Sequence, residues 1–310
     1  MTRSFTTLLA RIVDANAPLP VGDLCQLSDM SASSASTLGE AWSTIEVQRR
    51  REVMRHLTEI CQTNFEVDFI PVALLGIQDD DSQVRLAALG AFWDAESPEL
   101  VAPLLQLAHD DPEMMVQAGA AQALGQFVLV GELGRFSRSI LGQLTKELLA
   151  VYRDTEKALL VRCRALEALA AADLSELPAL IQDAYQSEEE VLKISAVSAM
   201  GFTADPRWEP VILAELSHVS PSMRYHAAQS AGKLELRTAA PHIIELLEDP
   251  DPAVMAASIR SLGKIGGEGA RAALELLLDD EEIGGLAQDA LEMMSLTDGM
   301  PPILLYDMEL

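Results

Sequence analysis

Residues 192–263 hold three copies of one segment: LKISAVSAMG (192–201), MRYHAAQSAG (223–232) and VMAASIRSLG (254–263). They begin at Leu192, Met223 and Val254, a 31-residue period. The pattern extends outward from there. Upstream copies begin at Val84, Val116 and Val161, and a downstream copy begins at Ile283. The successive spacings are 32, 45, 31, 31, 31 and 29. A fixed period in this range is the signature of stacked helical units.

Each segment reads as a helix. The first residue, the anchor, and the positions four, seven and eight later share one face at 3.6 residues per turn. Four past the anchors stand Ala88, Ala120, Ala165, Ala196, Ala227, Ser258 and Ala287. Seven past them stand Ala91, Ala123, Ala168, Ala199, Ser230, Ser261 and Ala290. Such small side chains let helix backbones approach closely. Asp81, Glu113, Glu189, Ser220, Asp251 and Asp280 lie three residues before their anchors, where Asp or Ser caps a helix. Pro221 and Pro252 follow directly, suiting a first turn. Gly125, Gly201, Gly232 and Gly263 fall nine past their anchors and are expected to mark the helix ends. A shorter apolar helix precedes each cap, as in PVALLGIQ (71–78) and PHIIELLE (241–248).

These features, with D-x-x-V-R at 81–85 and A-x-x-A-L-G at 120–125, resemble HEAT repeats, in particular the short repeats of the phycobilin-lyase type. The resemblance implies an all-α, right-handed α-solenoid of stacked antiparallel helix pairs. Its functional implication is broad: a non-catalytic scaffold or adaptor that binds other proteins, with a lyase-like, chromophore-handling factor as the alternative.

Composition agrees with helix stacking. The chain of 310 residues is 49% hydrophobic but only 5% aromatic. Its 48 Asp and Glu against 22 Lys and Arg give a net charge of −26. That surface repels nucleic acid and anionic membranes; it serves solubility, with attraction of a basic protein partner as the alternative reading. Cys25, Cys61 and Cys163 are odd in number and widely spaced, which suits a reducing compartment. No signal peptide or bilayer-spanning apolar run is evident, so a soluble cytoplasmic protein is expected.

Residues 1–68 fit the repeat poorly and read as a divergent N-terminal cap. The repeats occupy 69–294, with a helical insertion near 128–160, and 295–310 form a tail whose Ile303, Leu304, Leu305 and Tyr306 could fold over the last helix. Segment 131–164 carries seven Lys and Arg against four Asp and Glu and is expected to hold a lengthened helix, with a partner-contacting insertion as the alternative.

No catalytic or cofactor motif is present. The HEAT-type deoxyhypusine hydroxylases bind iron through His-Glu pairs, yet none of His56, His109, His218, His226 and His242 is followed by Glu. Neither metal nor cofactor is expected. Gly263–Gly267 reads as a helix end and turn. A bilin's propionates would call for Arg164, Arg224 and Arg260. Arg85, Arg162, Lys193 and Arg224, one past their anchors, are placed to bridge acidic residues of adjacent turns. Positions two and six past the anchors point away from the core row. They supply the candidate protein-binding residues Leu86, Gln122, Glu167, Ile194, Tyr225, Gln229 and Arg260; the alternative is that the first row packs sideways against neighbouring helices.

Overall fold

The structure, a computed structural model, describes residues 3–64 and 66–298. The tail residues Ile303 to Tyr306 lie outside them. Among the described residues all regular structure is helical. The chain divides into two compact units between Leu169 and Ala170.

The first unit opens with α1 (Arg3–Val13), a 3₁₀ segment (Val21–Leu27), α2 (Ala32–Trp42) and α3 (Val47–Thr63). Ser31 starts α2 by accepting from the Ser34 amide. Arg49 of α3 is buried and donates to the carbonyls of Asp14 and Ala17, tying down the chain that leaves α1. Helix pairs follow: α4 (Ile70–Gly76) with α5 (Ser82–Leu89), α6 (Val101–Asp110) with α7 (Met114–Glu132), and α8 (Arg138–Arg153) with α9 (Leu159–Leu169). The 45-residue spacing is absorbed by length: α7 has 19 residues and α8 has 16, against 8 in α5. Contrary to the sequence reading, α7 is long and apolar enough to cross a membrane. It packs against α5, α6, α8 and α9, burying Val116, Ala120, Leu124 and Phe127, so its apolar length serves the core.

The second unit repeats one pairing: α10 (Leu177–Tyr185) with α11 (Glu190–Met200), α12 (Glu209–Glu215) with α13 (Pro221–Lys233), α14 (Ala240–Glu245) with α15 (Pro252–Ile265), and α16 (Glu268–Glu275) with α17 (Gly284–Asp298). The second helices α11, α13, α15 and α17 stack in sequence. Gly266 and Gly267, at φ 69° and 95°, make the turn after α15.

Glycines nine past the anchors do not stop helices by left-handed backbone. Gly125, Gly232 and Gly263 lie inside α7, α13 and α15, and Gly201 follows α11 at φ −65°. They are contacts instead. A Cβ on Gly201 would stand 2.7 Å from Ser230 Cα, and one on Gly232 would stand 2.9 Å from Ser261 Cα. Ser230 and Ser261, seven past their own anchors, each donate to a carbonyl of the preceding second helix: Val197 and Ala228, both at 2.8 Å. The glycine brings the backbones together, and the serine uses the closeness for a buried hydrogen bond.

Caps follow the expectation at three positions. Asp81, Asp251 and Asp280 each accept from two backbone amides of the next turn. Glu113, Glu189 and Ser220 make no side-chain cap. At Ser220 the neighbouring ring takes part, since His218 Nδ1 accepts from the Ser220 amide at 3.0 Å. Arg51 also grips Asp81, at 2.8 and 2.5 Å, and holds its carboxyl down at about 2. Asp249 is lowered in the same way by Arg224. The unfolded carboxyl titrates near ~3.9. The stability from a lowered carboxyl is therefore fully present above that pH and is lost as pH falls toward 2. Asp81→Asn, which keeps a capping oxygen, should flatten the decline in stability between about pH 4 and 2. Denaturation midpoints across that range check this.

Candidate protein-binding surface

Two of the four cations placed one past their anchors, Arg85 and Arg224, form Arg–Asp bridges. Arg85 donates to both oxygens of Asp111 at 2.7 and 2.9 Å and to the carbonyls of Asp79 and Asp80. Arg224 repeats this in the second unit, with Asp249 at 2.6 and 2.8 Å and the carbonyls of His218 and Val219. One side chain thus closes its own turn and fastens it to the next. Arg50 meets Asp79 similarly at 2.8 Å. Each bridge raises the arginine further above its ordinary range, mainly through the carboxylate hydrogen bond, at Arg85 and Arg224. Arg162, at the same register, instead donates to the Tyr152 carbonyl and lies over that ring. The insertion joins this network through Lys157, which donates to the His109 carbonyl at 2.8 Å, and through Glu147, 3.3 Å from the His109 ring.

The seven candidate residues fall in both units. Leu86, Gln122 and Glu167 belong to the first, and Ile194, Tyr225, Gln229 and Arg260 to the second. In the first unit the two rows do not form an open stripe. Ala118 and Cys163 are buried, Leu86 packs toward Gly119 of α7, and Glu167 is paired with Arg164 at 2.6 Å. Only Gln122 is exposed. Ala118 and Cys163 stand on α7 and α9, which pack closely on each other, and Leu86 of α5 faces the start of α7.

In the second unit the rows stay open, apart from buried Ser198. Ile194 and Tyr225 are half-buried on α11 and α13, and Arg260 is exposed on α15. Gln229 donates to the Tyr225 hydroxyl at 2.7 Å, one turn apart on α13, and Tyr225 meets the His226 ring edge-on. The strip continues to positions the sequence reading passed over. Ten past the anchors stand Phe202, Lys233 and Lys264, with Phe202 50% exposed. They line a groove of about 450 Å³ with Gly201 and Gly232, and Lys233 lies 3.5 Å from the Phe202 ring centre. The 3–4 spacing that led from position two to six leads on to ten. Reading the glycine at nine as a stop hid it.

Among the described residues no three His, Cys, Asp or Glu side chains are grouped to hold a metal ion.

A family model described as HEAT repeats matches residues 70–135 and 209–295. The chain is a HEAT-repeat protein. Between the two matched stretches, residues 136–208 hold α8 of the insertion together with α9, α10 and α11. No curated protein matches this HEAT-repeat chain in sequence. Among solved structures it is similar to the CpcE–CpcF complex of phycocyanin lyase from Nostoc sp. PCC7120. That match has 16% identity and a TM-score of 0.55, covering 91% of this chain and 97% of that one. It is also similar to human deoxyhypusine hydroxylase, at 16% identity and TM-score 0.35 over 95% and 96%. Kap121p bound to Nup53p matches at 14% identity and TM-score 0.47, over 94% of this chain and 37% of that one. At 16% identity the likeness to the lyase complex is one of fold.

Proposed function

We propose that this HEAT-repeat protein is a non-catalytic scaffold that binds a protein or peptide along the open strip of its second unit. The observation that carries the reading is the half-exposed pair Ile194 and Tyr225 on consecutive stacked helices, with the Tyr225 hydroxyl held by Gln229. An aromatic ring fixed by a neighbour and flanked by an aliphatic side chain is a suitable anchor for a partner's side chain. The net charge of −26 additionally draws a basic partner toward the molecule as a whole. The chromophore-handling reading has less support. Arg224 and Arg164, two of the three cations it would need, are engaged by Asp249 and Glu167.

Tyr225→Ala combined with Ile194→Asp tests the proposal. Helical content should be unchanged, since neither side chain is in the buried core. The proteins captured from host lysate by the wild type, identified by mass spectrometry and titrated in purified form, should lose binding to the variant. If binding survives both changes, the strip is not the docking surface, and the basic 131–164 segment takes its place. A bilin retained on purification, visible by its absorbance, would favour the chromophore reading.

A further inference from the structure

We infer that the strip on the second unit docks an acidic segment bearing apolar side chains, against the sign of the protein's overall charge. This rests on the reading of that strip as the docking face. Between residues 170 and 298 there are eight Lys and Arg and 23 Asp and Glu. Three of those eight cations, Lys233, Arg260 and Lys264, stand on this one strip. Arg260 and Lys264 lie one turn apart on α15, and Lys264 shares the 450 Å³ groove with Lys233 of α13. Arg260 and Lys264 are exposed and form no ion pair among the described residues. Elsewhere in this unit the guanidiniums of Arg224 and Arg207 are spent on Asp249 and Asp205. Glu235 also lines the groove, and Asp289 of α17 stands at the register of Arg260.

Lys233 and Lys264 occupy the last turns of α13 and α15, where a cation complements the carbonyl end of a helix. That accounts for two lysines but not for Arg260 a turn earlier, nor for Phe202 left half in solvent. Together they place a cationic zone at one end of the strip and the neutral pair Ile194 and Tyr225 at the other. Carboxylates of a docked segment would face the first, and its apolar side chains the second.

Two short fluorescein-labelled peptides test this by polarisation at physiological salt. One carries leucine and tyrosine between glutamates; its twin has lysine at every glutamate. At a net charge of −26, nonspecific attraction favours the lysine twin. The local arrangement favours the glutamate peptide, and Arg260→Glu with Lys264→Glu should weaken that peptide at least about tenfold. Both substituted side chains are exposed, so circular dichroism should not change. Equal or tighter binding of the twin, no binding by either peptide, or glutamate-peptide binding indifferent to the charge reversal each overturns the inference. Tyr225→Ala with Ile194→Asp separates the two levels. A twin that binds and depends on those two residues leaves the docking strip standing and removes only its preference for acid. Binding indifferent to them removes both.

Discussion

Gly232→Ala is expected to destabilise the second unit by about 2–3 kcal/mol, although alanine is the better helix former. The added methyl would stand 2.7 Å from Ser261 Oγ, 2.8 Å from its Cβ and 2.9 Å from its Cα. The hydroxyl could rotate away. The Cα could not, because Ser261 is buried on α15 and its hydroxyl is tied to the Ala228 carbonyl of α13. Relief requires α13 and α15 to separate by several tenths of an ångström. That separation would lengthen the serine bond and loosen the packing along both helices. Ser261→Ala in the same chain should return only part of the loss, since its Cβ and Cα remain. A fall in thermal midpoint of roughly 5–10 °C is expected for a unit of this size. Gly142→Ala supplies the opposite case. Gly142 is exposed within α8, and a Cβ there meets nothing within 4 Å. That change should stabilise by roughly 0.5–1 kcal/mol. Thermal melts of the two variants, read by circular dichroism, compare them directly. A Gly232→Ala protein that melts with the wild type would remove the close-contact account.

That glycine shows where the sequence could be read and where it could not. The 31-residue period, the rows of alanine and the capping aspartates are local patterns, and each has one physical meaning. The caps at Asp81 and Asp251 and the helices they start follow from them. A glycine near the end of a helix has two uses: it tolerates left-handed backbone, and it lets another backbone come close. The residue alone does not separate these, and the neighbouring helix does. Ser230 and Ser261 were legible as small but not as donors, because their acceptors belong to another repeat. The face rows show the same limit. Leu86 and Ile194 share one register and are both half-buried, yet the row of Leu86 runs on to buried Ala118 and Cys163, while that of Ile194 runs on to half-buried Tyr225 and Ala256. The buried members lie where α7 and α9 pack on each other, and which helices meet so closely is not written in the register. The groove with Phe202, Lys233 and Lys264 continued a visible periodicity past a glycine taken as its end. The arginines one past the anchors were correctly placed to bridge turns, but whether an acceptor met them was a matter of geometry. Arg85 and Arg224 found an aspartate, while Arg162 found a carbonyl and a ring.

Arg85→Ala should therefore cost far more than removing an ordinary surface arginine, about 3–5 kcal/mol. Arg85 and Asp111 side chains are 10% and 2% exposed. Truncating the arginine strands the Asp111 carboxylate in the interior. Its remaining bond is from the Glu113 amide at 2.9 Å. The carbonyls of Asp79 and Asp80 lose their donor in the same step, so the turn before α5 and the turn before α7 come apart together. The penalty lies in the unpaired charge rather than in the pair's net worth. Arg85→Met with Asp111→Asn should accordingly recover much of the loss, since asparagine still accepts from the Glu113 amide and neither residue is charged. Arg55→Ala is the contrasting case. Its partner Glu59 lies one turn away on α3, with side chains 56% and 52% exposed, and the change should leave the denaturant midpoint nearly where it is in the wild type. Hydrogen exchange read by mass spectrometry should show the Arg85→Ala loss as lowered protection in α5, α6 and α7. Denaturant midpoints should rank the three variants in the order given. If Arg85→Ala matches Arg55→Ala, the bridge is a surface ornament; if the double variant is no better than Arg85→Ala alone, the cost comes from lost packing of the arginine stem and not from the stranded carboxylate.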